Sequence, residues 1–324
     1  MVKMYLSKIE ILQMILKIIK KLQLKRIKLI LLFAFTCIIF YSCSDKKSSE
    51  NNFNPKEYKL WKAERINYIK GHEGWLNLAG LFWLKDGKNT IGSSPDNAIQ
   101  FPGDAPAFIG TFTLTDSIIL FEANPDISIF NKGKRAKKII MEPDVSMHPT
   151  TLSYDSLEWF IVERGGEYGI RLRDFNRKEI NELDSIPCFP PDQKWKVKAK
   201  LVKPSRNLTL MLPNVLGQAS EQKVPGILKF SINGKIYQLY PIGTPNNLWV
   251  VFGDDTSGDQ SYGGGRFLKI APPDKKGNYY LDFNKAYNPP CAFTEFATCP
   301  LPPKKNILEI GIMAGEKNIP HIWH

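Results

Sequence analysis

Hydrophobic and polar positions divide this chain into one helical face and a long series of short strands. Asn54-Pro55 opens the helix, with Asn as cap and Pro in the first turn. Tyr58, Trp61, Arg65, Tyr68 and Ile69 then recur at spacings of three and four, and Gly71 is placed to end the run. Trp61 and Arg65 suit a binding pair, but the base rate of buried aromatics favours a helix packed on a sheet. From Gly74 the pattern shortens to apolar runs punctuated by Gly, Pro, Asn and Asp, the rhythm of a sandwich or barrel. In Ile170-Arg171-Leu172-Arg173 the alternation puts both arginines on one strand face. That face suits a carboxylate or phosphate ligand, solvated strand charges, or a pair with Asp174. After the proline cluster at Pro187–Pro191, WKVKAKLV (195–202) alternates cleanly, and Asn233-Gly234 marks a hairpin turn. A last strand is expected over Ile307–Met313.

The expected fold is therefore mainly β, with one short amino-terminal helix and two β-rich parts meeting near residue 190. Residues 55–190 form the first part and residues 191–324 a smaller second one. Hydrophobic residues at 43% and charged ones at 23% suit a folded globular protein.

Charge changes the picture at the amino terminus. The formal net charge of +12 falls to +5 once residues 1–42, with eight basic residues against one acid, are set aside. So modest a balance does not point to nucleic acid, which calls for a concentrated basic face. Residues 29–42, LILLFAFTCIIFYS, follow a basic segment as the apolar core of an export signal. Ser42-Cys43-Ser44 after it resembles a bacterial lipobox, which implies cleavage before Cys43 and lipidation there. Residues 1–42 are read as a lipoprotein signal peptide and 43–54 as a flexible tether. The expected location is the cell envelope, with the protein held to a membrane by its lipid.

The chemistry gathers between Phe252 and Pro303. Asp254 and Asp255 follow an apolar strand at a Gly turn, where acids bind cations, act as bases or simply form turns. Gly263-Gly264-Gly265 lies between Tyr262 and Arg266, either as a close approach to an acidic ligand or as a tight hairpin with a structural arginine. Asp282, Asn284, Lys285, Tyr287 and Asn288 crowd one loop ahead of Pro289-Pro290, a density that suits a site as well as a satisfied buried network. Cys291 and Cys299 read as a disulfide, the default outside the cytoplasm. His72 and His148 are isolated, and no base stands where a cysteine nucleophile would need one. No metal or cofactor is assigned.

Two resemblances add to this reading. Thr90-Ile91-Gly92-Ser93-Ser94-Pro95-Asp96-Asn97-Ala98-Ile99 resembles the forkhead-associated (FHA) pattern, which implies a β-sandwich for the first part. That family binds phosphothreonine through an Arg where this chain has Ser93, and its later Ser-x-x-His has no counterpart around Pro106–Gly110. The resemblance thus implies fold and argues against phosphopeptide recognition. The runs GWLNLAGLFWL, FGDDTSGDQSYGGGRFL, LDFNKAYNPPCAFTEFATCPLPPKKN and AGEK resemble the DUF1684 family over roughly residues 55–318, a family that brings no reaction with it.

The leading expectation is a cell-envelope protein binding a small polar or acidic molecule through Tyr262, Arg266, Asp282, Asn284, Lys285, Tyr287 and Asn288. A hydrolase with Asp254, Asp255 or Asp282 as general base, with or without a metal, is the alternative. An interaction module using the sandwich loops is a third.

Overall fold

The computed structural model describes residues 53–204 and 206–319. The expected signal peptide at 1–42, the expected lipidation site Cys43 and the expected tether up to residue 52 lie outside the described residues. Among those described, no helix is long and apolar enough to cross a membrane.

The helix spans Pro55–Lys70, and the Asn54 side chain accepts the Lys56 and Glu57 backbone N–H groups at its start. The chain then folds into sheets. The strands Leu78–Trp83, Glu167–Asp174, Leu157–Arg164, Thr151–Tyr154, Phe130–Asn131 and Lys134–Arg135 make a six-stranded sheet in that order. A five-stranded sheet follows the order Ile99–Gln100, Gly87–Gly92, Gly110–Thr115, Ile118–Ala123, Lys138–Ile140. Period-two alternation gives each sheet one apolar face. Ile91, Phe112 and Phe121 from one meet Leu152, Trp159, Ile161, Ile170 and Leu172 from the other in a shared core. The fold is mainly β, and this part is a β-sandwich.

A separate core belongs to the carboxy-terminal sheets. Lys235–Leu239, Ile227–Ile232, Lys196–Val202 and Tyr279–Asp282 form one, while Ile242–Thr244, Asn247–Asp254 and Arg266–Ile270 run through another. Val197, Ala199, Leu228, Phe230, Leu239, Val250, Phe252, Leu268 and Phe283 fill the space between them. Asn233 and Gly234 both take positive φ, at 51° and 79°, the mirror-image turn geometry that a two-residue hairpin needs. The last strand is shorter than expected. Only Ile307–Leu308 pairs, parallel to Gly253–Asp254, because the backbone beyond it turns to hydrogen-bond side chains instead. The two cores belong to one compact unit covering residues 51–324.

One loop has a measurable titration. The Asp274 carboxylate accepts the Asn278 side-chain amide at 2.7 Å, the backbone N–H groups of Asn278 and Lys276 at 2.8 Å each, and the Tyr280 hydroxyl at 3.1 Å. These donors, the Asn278 amide foremost, hold its pKa at about 2. The folded value lies below the unfolded one, so the associated stability is complete above the ordinary carboxylate range and is lost as pH falls toward 2. A carboxyl-carbon NMR titration should show the Asp274 midpoint near 2, and a midpoint at the ordinary value would refute the cluster.

Candidate functional site

Arg266 begins its strand beneath the glycine triplet. Gly265 takes φ of +78°, and a Cβ there would fall 2.2 Å from Pro302 Cγ and 2.6 Å from the Phe252 carbonyl. The triplet is therefore a tight turn packed on Pro302, closed by the Gly265 N–H donating to the Tyr262 carbonyl. It drives Arg266 inward to complete burial. The Arg266 Nη2 donates to Asp254 Oδ2 at 2.6 Å and to the Ile312 carbonyl at 3.0 Å, and Nη1 donates to the Ala314 carbonyl. Asp254 Oδ1 in turn accepts from the Thr256 N–H and hydroxyl and from the Ile312 N–H. Arg266 is thus a fully buried clamp on residues 312–316, with its Nε alone left without a partner. Asp254 is equally committed to this buried network. Asp255 stays exposed at the turn beside it.

The loop from Asp282 to Asn288 divides similarly. Asn284 is fully buried, giving its Nδ2 to the Asp192 carbonyl and Asp282 Oδ1 and accepting the Asp192 N–H. Asp282 is so used in that bond and lines no cavity described below. Lys285 pairs with Glu57 on the helix. Asn288 is buried too, donating its N–H to Glu316 Oε2 at 2.7 Å and its Nδ2 to the Lys317 carbonyl. Polar density here reflects a hydrogen-bonded network joining chain segments, in which the buried Asn288 Oδ1 is left without a partner. Tyr262 packs among apolar residues, and burial raises its hydroxyl pKa. Of the seven predicted ligand contacts, Tyr287 lines an open cleft. Cys291 and Cys299 are joined as a disulfide, which fixes the loop carrying Thr298.

That cleft lies between the helix and the carboxy-terminal strands. Its volume is about 620 Å³, and Trp61, Tyr68, Trp75, Trp249, Phe267 and Tyr287 form most of its wall. Glu64 and Lys269 stand exposed at its rim. Arg65 sits beneath the aromatics, its guanidinium 4.4 Å from the Trp75 ring centre and 4.7 Å from that of Tyr287. Its charge is met by Glu316 at 2.8 Å, with both side chains buried. Trp249 and Phe267 meet edge to face at 4.8 Å between centroids. Burial pushes the Tyr287 hydroxyl up to about 12, so it stays protonated at neutral pH. Tyr68, expected to pack, is half exposed at 50% and turned to the cleft. The helix face read as packing is therefore partly a cleft wall, with Trp61 and Arg65 in it.

A smaller cavity of about 260 Å³ adjoins it, sharing Trp75, Phe267 and Pro290. Arg164, Arg171, Arg173 and Thr298 line it. Arg164 forms a two-point pair with Asp144 at 2.7 and 3.0 Å. Arg173 donates to the Gly74 carbonyl and to Asn77 Oδ1, and lies 3.5 Å from Glu73. Arg171 reaches Thr298 Oγ1 at 3.5 Å and, among the described residues, forms no ion pair with a carboxylate. Among the described residues, no three His, Cys, Asp or Glu side chains stand close enough together to hold a metal ion.

Comparisons with known proteins agree with this picture only in part. Residues 181–317 match the family model described as "Protein of unknown function (DUF1684)". The match is narrower than the sequence runs suggested, and the helix and the three arginines lie before it. An uncharacterized protein of Haloarcula marismortui, solved by solution NMR, is 30% identical, with 42% of this chain and 78% of that one covered and a TM-score of 0.35. The FHA domain of FhaA, solved in complex with an intracellular domain, is 13% identical, with 29% of this chain and 97% of that one covered and a TM-score of 0.18. A similarity that low carries no argument about ligand. No curated protein matches the chain.

Proposed function

We propose that this chain, whose residues 181–317 match the DUF1684 family model, is a small-molecule binding protein of the cell envelope, its ligand a ring-bearing molecule with an acidic group. The observation that carries this reading is the aromatic cleft. Six aromatic side chains around a concavity of about 620 Å³ leave much apolar surface facing water, which is where a ligand's flat face is most favourably buried. Arg65, already paired with Glu316, stiffens the cleft floor without demanding a ligand charge. Lys269 at the rim supplies a cation for an acidic substituent. The envelope location rests on the apolar run at 29–42 and on Cys43. The carboxylates nominated for hydrolysis do not line the cleft, so binding is favoured over catalysis.

The test is a fluorescence titration of the full chain with aromatic and sugar-ring carboxylates and phosphates. A ligand should quench the cleft tryptophans, and Trp249→Ala should weaken its binding about tenfold or more, as loss of a stacked ring does. If no compound in the panel quenches, or if Trp249→Ala and Trp61→Ala bind as tightly as the parent, the cleft is not a binding site.

A further inference from the structure

We propose that Arg164, Arg171, Arg173 and the Thr298 hydroxyl form a binding site for a phosphate group in the smaller cavity. The Arg171 charge in that cavity is not balanced by an ion pair. Arg171 projects from the strand Glu167–Asp174 into that cavity. Its Nε is shielded from water and has no hydrogen-bond partner, and its Nη2 has only Thr298. Burial, opposed by Asp144 and reinforced by the neighbouring Arg164 and Arg173, lowers its pKa to about 10. A half-buried guanidinium beside two others is costly unless an anion joins it. Asp144 is taken up by Arg164, and Glu73 is 76% exposed and shared with His72. Glu158, opposite Arg173 on the adjacent strand, adds negative charge beside that arginine, but among the described residues no carboxylate forms an ion pair with Arg171.

Thr298 indicates what completes the set. Its Oγ1 accepts from Arg164 Nε at 3.4 Å and from Arg171 Nη2 at 3.5 Å. The hydroxyl hydrogen then remains to donate to an anion. Three guanidiniums from two adjacent strands and a hydroxyl from the Cys291–Cys299 loop exceed what a planar carboxylate uses, since one arginine fork already satisfies it. A tetrahedral phosphate presents oxygens in enough directions to meet them all. The disulfide between Cys291 and Cys299 fixes the Thr298 loop against the strand arginines. Trp75, Phe267 and Pro290 are walls of both cavities, so a ring in the larger one can carry its phosphate into the smaller. This last link rests on the proposed aromatic cleft; the phosphate site itself does not.

The experiment follows the thermal unfolding of the full chain in inorganic phosphate, acetate and chloride at one ionic strength. Phosphate should raise the melting temperature well above the chloride baseline, and acetate should do so far less. Arg171→Gln should raise the phosphate Kd about tenfold or more, as removing a charge-assisted donor does. Thr298→Val should weaken binding less, and Arg135→Gln, on an exposed strand, should leave it unchanged. No phosphate response, an equal response to acetate, or a response retained in both Arg171→Gln and Thr298→Val would overturn the site. Should Arg171→Gln fail to fold, Thr298→Val alone decides, by weakening phosphate binding or not. Trp249→Ala should keep the inorganic phosphate response. Failure of the aromatic cleft would thus leave that response intact, and failure of the phosphate site would leave quenching by phosphate-free rings.

Discussion

Replacing Asp254 by Ala is expected to destabilise the protein by about 3–5 kcal/mol, the cost of removing one partner from a buried ion pair. Arg266 would be left without its carboxylate at a site where both side chains are fully inaccessible. The Thr256 N–H and hydroxyl and the Ile312 N–H would lose their acceptor at the same time. Since Arg266 also donates to carbonyls of residues 312 and 314, the fault would spread to the carboxy-terminal segment that covers the second core. Urea unfolding of parent and variant measures the difference. Arg266→Met combined with Asp254→Leu should recover part of the loss, because no buried charge is then left alone, although the Thr256 and Ile312 N–H groups still lack their acceptor. A loss below about 1 kcal/mol for Asp254→Ala would mean that water reaches the pair, as at exposed ion pairs.

The same pair shows where sequence reasoning stops. Local chemistry was legible where it is decided locally. Asn54 caps the helix through backbone atoms two and three residues on, and Asn233-Gly234 closes a hairpin by its own torsions. The alternation of Val197 and Ala199 with Lys198 and Lys200 tells which face is buried. Pairings across the fold carry no such signature. Asp254 and Arg266 stand on adjacent strands, and their carbonyl partners lie some fifty residues further along. A buried polar network and a ligand site draw on the same residue types, so the density from Asp282 to Asn288 marked an important segment without distinguishing the two. The cleft was missed for a related reason. Trp61 and Tyr68 on a helix face look like packing, and only Trp249 and Tyr287 opposite them turn that face into a wall. Arg171 and Arg173 were placed together by strand periodicity, but Thr298, more than a hundred residues away, is what gives Arg171 its setting.

Glu316→Ala should be nearly as damaging as the loss of Asp254, and it should reach the cleft. Glu316 is 1% exposed, and its carboxylate accepts from Arg65 Nε at 2.8 Å and from the Asn288 N–H at 2.7 Å. Without it, Arg65 keeps only the Asn288 carbonyl as an acceptor. We expect a loss of about 3–5 kcal/mol, again the cost of a buried charge left alone. Arg65 lies under Trp75, Tyr287 and Phe293 and anchors the helix that carries Trp61 and Tyr68. Its displacement should therefore weaken ring binding as well as stability. Glu316→Gln, which keeps the shape and one acceptor, should cost about half as much, because hydrogen bonds survive where the charge does not. A double-mutant cycle with Arg65→Met separates the pair from the rest: a coupling above about 1 kcal/mol is expected for groups in direct contact. Additive losses would show instead that Glu316 acts chiefly through Asn288, and the cleft would then keep its affinity in Glu316→Gln.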